Sequence, residues 1–151
     1  MDINTIIQLV IVIIQSIVAI ITLISVILIY KTIKSNESLN QKIILNEVVK
    51  QERELRIKLS EYRIEINKRI NSKKDFSEIS LNYDTLLFNY YEYLAICLYK
   101  KIIHEKETQL YFEERLKYVK EIFDSSILFK KDYAQKEQYK GLNWLFKHWK
   151  I

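Results

Sequence analysis

His104 and His148 are the chain's only imidazoles, and the chemistry open to them depends on their neighbours. An arginine about four to six residues ahead of a histidine would let the pair activate a ribose hydroxyl and steady the adjoining phosphate. None of Arg53, Arg56, Arg63, Arg69 and Arg115 stands at that distance before either histidine; Lys100 and Lys101 ahead of His104 are the nearest echo. One glycine and no proline leave no Gly-rich loop able to cradle a phosphate. Cys97, the only cysteine, lies between Ile96 and Leu98 in an apolar run and reads as a core residue, not a nucleophile. Two distant histidines, one thiol and no close carboxylate cluster offer no catalytic group, no cofactor site and no metal site. The expectation is a protein that is not an enzyme.

Polar side chains in apolar surroundings are the remaining candidates. Asn89 and Glu92 stand a helical turn apart beside tyrosines, which predicts an internal hydrogen-bonded clamp, with ligand contact as the alternative. The 11 tyrosines have faces on which bases could stack, but aromatics at helical spacing build cores. Nucleic acid is not expected as a partner. Gln8, Gln15 and Thr22 recur every seven residues, and Thr5, Val12, Ala19 and Val26 fill the neighbouring position of the same repeat. One side of this segment is thus polar or small, whereas Ile7, Ile14, Ile21 and Leu28 mark the other. An unpaired amide in hydrocarbon costs several kcal/mol, so the stripe predicts association with further copies of the chain. Two alternatives stand beside it: Gln8 is wet at an interface, or a ring of helices turns the stripe towards a water-filled lumen.

The element that must carry the stripe is residues 6–30, a run with no charged side chain. As a helix it reaches roughly 37 Å, against a hydrocarbon core of about 30 Å, which predicts a transmembrane anchor over 1–34 and a lipid bilayer as partner. Asp2 is the only charged side chain before Lys31, so the 24 basic and the remaining 18 acidic residues give the rest of the chain a net +6. Lys31, Lys34 and Lys42 follow the run, which places the C-terminal part in the cytoplasm and the N-terminus outside a bacterial inner membrane. A single cysteine suits that reducing compartment. No basic n-region or small-residue cleavage site is present, so the anchor is expected to remain attached.

Residues 35–151 are expected to form one helical domain, all-α in class. A long amphipathic helix over about 37–71 repeats Leu45, Val48, Leu55, Leu59, Tyr62 and Ile66, with Glu52 interrupting. Its seam packs within the chain or against another copy. Glu52 with Arg56, Glu54 with Lys58, and Glu65 with Arg69 read as exposed pairs. Ser35, Asn36 and Ser38 are the candidates for a kink or fresh cap before it. Core helices follow over about 81–103, with Tyr90, Leu94 and Ile102 inward, and about 105–124, with Tyr111, Leu116 and Phe123 inward. A terminal helix over about 141–150 closes the bundle.

Residues 88–123 and the terminal GLNWLFKHW resemble a large group of uncharacterised bacterial proteins in which one N-terminal span precedes a helical cytoplasmic domain. The likeness rests on Asn89, Tyr90, Tyr91 and Glu92, on residues 102–105, and on Trp144 and Trp149. In layout the chain is also similar to small membrane accessory proteins of RNA-targeting CRISPR loci. These resemblances imply topology and a place in antiviral defence; the polar stripe and the lack of catalytic groups lead to the expectation of an oligomeric membrane effector or pore. A tethered adaptor whose bundle binds a cytoplasmic protein is the alternative, and a HEPN-like RNA-binding or ribonuclease protein is a third reading.

Overall fold

The computed structural model describes the backbone of residues 3–151 and the side chains of residue 8 and residues 11–151. All regular elements among them are helical: α1 (Ile3–Asn71), α2 (Ser77–Tyr99), α3 (Glu105–Ser125), the single turn α4 (Ile127–Lys130), a 3-10 turn (Lys136–Gln138) and α5 (Lys140–His148). The fold class is all-α. Contacts divide the chain into two units, Met1–Asn40 and Gln41–Ile151. The boundary falls a few residues beyond the anticipated 34/35 division.

No fresh cap forms at Ser35, Asn36 or Ser38: all three lie inside α1, so the apolar run continues into the amphipathic helix, as the absence of a breaker between Tyr30 and Asn36 allowed. Without glycine or proline nearby, the weak helix propensity of Ser and Asn costs only about 0.5 kcal/mol per residue, too little to break a helix nucleated on both sides. In the first unit, residues 11–30 are exposed along their whole length.

The second unit is organised on α2, against which α3, α4 and α5 all pack. α2 buries Leu87, Phe88, Tyr91, Leu94, Ala95 and Leu98, the three- and four-residue spacing of one broad helical face. α1 adds Leu45, Val48, Leu55 and Leu59, α3 adds Phe112, Leu116, Val119 and Phe123, and α5 adds Leu142, Leu145 and Phe146. Buried Thr108 shares the α3 face. Tyr111, expected on that face, is exposed, because the buried stripe runs one position later around the helix.

Helix ends are closed without glycine. Lys73, Lys101, Asp132 and Lys150 adopt φ of 55° to 56°, each one residue beyond the cap of a helix. After α2 the Ile102 N–H donates to Cys97 O and the Lys101 N–H to Leu98 O, both at 2.9 Å, the paired bonds of a Schellman closure. Left-handed backbone costs a non-glycine residue about 1–2 kcal/mol, which the satisfied carbonyls offset. This closure ends α2 at Tyr99, short of the expected 103, and turns Ile103 into the core while Ile102 stays partly exposed.

Candidate functional site

The first candidate is the polar row of α1. Gln8, Val12, Gln15, Ala19, Thr22 and Val26 are all exposed; the Thr5 side chain lies outside the described residues. Ser16, Thr22 and Ser25 donate their hydroxyl protons to the carbonyls of Val12, Val18 and Ile21, four residues back, at 2.8 to 2.9 Å. The polar groups of this stretch therefore separate into two kinds. Hydroxyls are satisfied by their own helix. The Gln15 amide makes no side-chain hydrogen bond among the described residues, so its two donors and its acceptor all look outward. Lys31 and Lys34 follow, both exposed.

The Asn89–Glu92 clamp is half corrected. Glu92 does clamp, but to backbone: its two carboxylate oxygens accept the N–H of Gly141 at 2.8 Å and of Leu142 at 2.7 Å. A carboxylate thus satisfies free donors at the start of α5, where the helix dipole favours negative charge. Asn89 is exposed and takes no part. Neutral side-chain polarity three residues away looked like the partner because a backbone N–H leaves no trace in residue identity.

The second candidate is a cleft in the Gln41–Ile151 unit, between α1, α2 and α3. It has a volume of about 420 Å³ and is lined by Glu52, Leu55, Arg56, Leu59, Ser60 and Arg63 of α1, Tyr83, Leu87 and Tyr91 of α2, and Glu114, Arg115, Tyr118 and Val119 of α3. Glu52 does not interrupt the α1 seam. It sits in the seam, 1% exposed, with Oε2 2.6 Å from Arg115 Nη1 and 3.0 Å from Arg56 Nε. Neither N–H is aimed well enough at that oxygen for a hydrogen bond, so the attraction is ionic. The Glu52–Arg56 pair is therefore largely buried on its acidic side, unlike the Glu65–Arg69 pair at 3.2 Å, both of whose side chains are half-buried. Glu54 and Lys58 form no ion pair among the described residues. Burial, and then the Glu52 charge, pushes the Tyr91 phenol well above its ordinary range. Arg63 donates from Nη2 to the Tyr118 hydroxyl at 2.8 Å and to the Tyr83 hydroxyl at 3.4 Å.

Cys97 is buried, as expected of a core thiol. His104 is exposed at the start of α3, where its carbonyl accepts the Thr108 hydroxyl at 2.6 Å. His148 Nε2 lies 2.6 Å from Glu105 Oε1, which also accepts the Trp149 indole N–H at 3.2 Å, so the two histidines serve different contacts. Asp84 was not singled out by sequence. Its buried carboxylate accepts the Ser126 hydroxyl, and Ser126 Oγ in turn accepts the Leu128 N–H at 3.1 Å, capping α4.

Burial raises the Asp84 pKa, and the Ser126 bond only partly opposes it. A carboxyl whose folded pKa lies above its unfolded value holds more protons folded, so it stabilises fully below the unfolded pKa and that contribution is lost as pH rises through the folded one. Asp84→Asn keeps the Ser126 contact without the charge. It is expected to be more stable than the native chain at pH 7, with the difference shrinking as pH falls towards about 4. Urea unfolding across that pH range reads it, and a difference that does not change with pH would count against the assignment.

These features define an all-α protein with, among the described residues, one helix long and apolar enough to cross a membrane and a helical unit carrying a charged cleft. Comparison with protein-family models, with characterised proteins and with solved structures finds no match.

Proposed function

We propose that the chain is a non-enzymatic membrane protein whose α1 crosses a bilayer within residues 6–30 and assembles copies through the Gln15 face, with the Gln41–Ile151 unit on the cytoplasmic side. The observation that carries this reading is the Gln15 amide. Among the described residues it makes no side-chain hydrogen bond, on a mostly apolar, exposed stretch whose Ser16, Thr22 and Ser25 hydroxyls bond to their own helix. In hydrocarbon such an amide is satisfied by the same group on another copy, and small Ala19 beside it permits close approach. Lys31 and Lys34 at the end of the apolar run favour the cytoplasmic orientation. A part in antiviral defence has only the resemblance in its support.

Interhelical amide bonds contribute about 0.6 to 1.7 kcal/mol, so Gln15→Leu is expected to weaken association about three- to fifteen-fold per contact. Light scattering on the detergent-solubilised particle should give a multiple of 18.3 kDa for the native chain and a shift towards one copy for the variant. A native particle of one copy would end the assembly reading, and a chain soluble without detergent would end the membrane reading. Dye leakage from liposomes then tells an enclosed lumen, where leakage is lost in Gln15→Leu, from a tight bundle with none.

A further inference from the structure

We propose that the cleft between α1, α2 and α3 binds a small organic acid, an apolar body carrying one carboxylate, with Arg63 receiving the charge. The volume of about 420 Å³ falls within the 300 to 1,000 Å³ typical of small-molecule sites. Leu55, Leu59, Leu87 and Val119 give the cavity an aliphatic wall, which favours an apolar body. The charged groups select the head.

Arg56 and Arg115 both stand against Glu52, and drawing either away towards a ligand would strand a buried carboxylate. Glu114 lies 2.5 Å from Lys117. Arg63 differs from the other two arginines: among the described residues no carboxylate lies within ion-pair distance of it, and its contacts are the neutral phenols of Tyr118 and Tyr83 through Nη2. Phenols hold a guanidinium in place without neutralising it. Nη2 is taken by the phenols, and Nε and Nη1 remain on separate edges of the guanidinium, so a carboxylate meets Arg63 through a single charge-assisted contact. Both hydroxyls accept from Arg63, which fixes the guanidinium at the cleft. Three arginines and two glutamates leave the lining with a net +1, complementary to a monoanion and poorly matched to a polyphosphate or a nucleic-acid backbone. The whole cleft belongs to the Gln41–Ile151 unit, so the inference stands apart from the membrane reading.

The test is calorimetric titration of the full-length chain, held in amphipol, with naphthoate, its neutral counterpart naphthalenemethanol, and inorganic phosphate. Naphthoate should bind saturably, naphthalenemethanol about tenfold or more weakly, and phosphate not measurably. Arg63→Gln should weaken naphthoate about tenfold or more. Ser60→Trp, at an exposed position of the same lining, should block the cavity without touching a charge, and it carries the test if Arg63→Gln fails to fold. Absence of saturation below about 10 mM naphthoate, equal binding of the acid and the alcohol, or undiminished binding by a folded variant would each overturn the proposal.

Discussion

Phe88→Ala is expected to destabilise the helical unit by about 3–5 kcal/mol, read as a lower guanidinium midpoint by circular dichroism on the detergent-solubilised chain. Phe88 is 0% exposed at the middle of α2. Its ring meets Phe123 edge-on at 5.0 Å, stacks on Phe129 at 5.7 Å and meets Tyr139 edge-on at 5.7 Å. Those three rings also touch one another, at centroid separations of 4.8 to 6.0 Å, so each is held by the others and cannot swing into the vacated space. The cavity therefore persists, which places the cost in the upper part of the range for such truncations. Set against a typical stability of about 5–15 kcal/mol, the loss is a large share of the total. Tyr99→Ala is the control: that ring is exposed and, among aromatic side chains of the described residues, meets Trp144 alone, so it should cost under about 1 kcal/mol. A similar cost at both positions would mean that Phe88 is not the centre of the packing.

The contrast between Phe88 and Glu52 shows which parts of the fold a linear reading recovers. Runs of apolar residues with helical spacing gave α2 and α3 to within a few residues, because period and burial are properties of one segment. Glu52 occupies a seam position, and taken along α1 alone a carboxylate there is only an interruption. Arg56, four residues on, was legible as one partner, but the second, Arg115, comes from α3, and nothing in the spacing of α1 announces it. The cleft is harder still, since Arg63 meets Tyr83 and Tyr118, 20 and 55 residues away. Helix ends slipped for a local reason: Lys101 rather than a glycine takes the left-handed position after α2, so the usual stop signal was missing. The polar row of α1 was legible as a pattern, but which of its groups lacks a partner was not. That distinction needed the hydroxyl-to-carbonyl bonds of Ser16, Thr22 and Ser25.

Gly141, the only glycine in the sequence, lies in the first turn of α5 against the Glu92 carboxylate. Glu92→Ala removes two charge-assisted bonds at the start of α5 and should cost about 2–4 kcal/mol. Glu92→Gln should lose nearly as much, because its amide group would turn a donor towards a donor. The sharper result concerns Gly141. Its φ is not positive, so no backbone strain bars a side chain there. In a helix, alanine in place of glycine is ordinarily worth about 0.5–1 kcal/mol of added stability. A Cβ at this position, however, would stand 3.0 Å from Glu92 Oε1 and 3.2 Å from its Cδ and Oε2. The carboxylate would have to draw back from the two N–H groups it holds. Gly141→Ala is therefore expected to destabilise the native chain but to stabilise the Glu92→Ala variant by up to about 1 kcal/mol. The change of sign between the two backgrounds, measured by chemical unfolding of the four chains of the cycle, isolates the contact. The same sign in both would mean that something other than the carboxylate requires a glycine at this position.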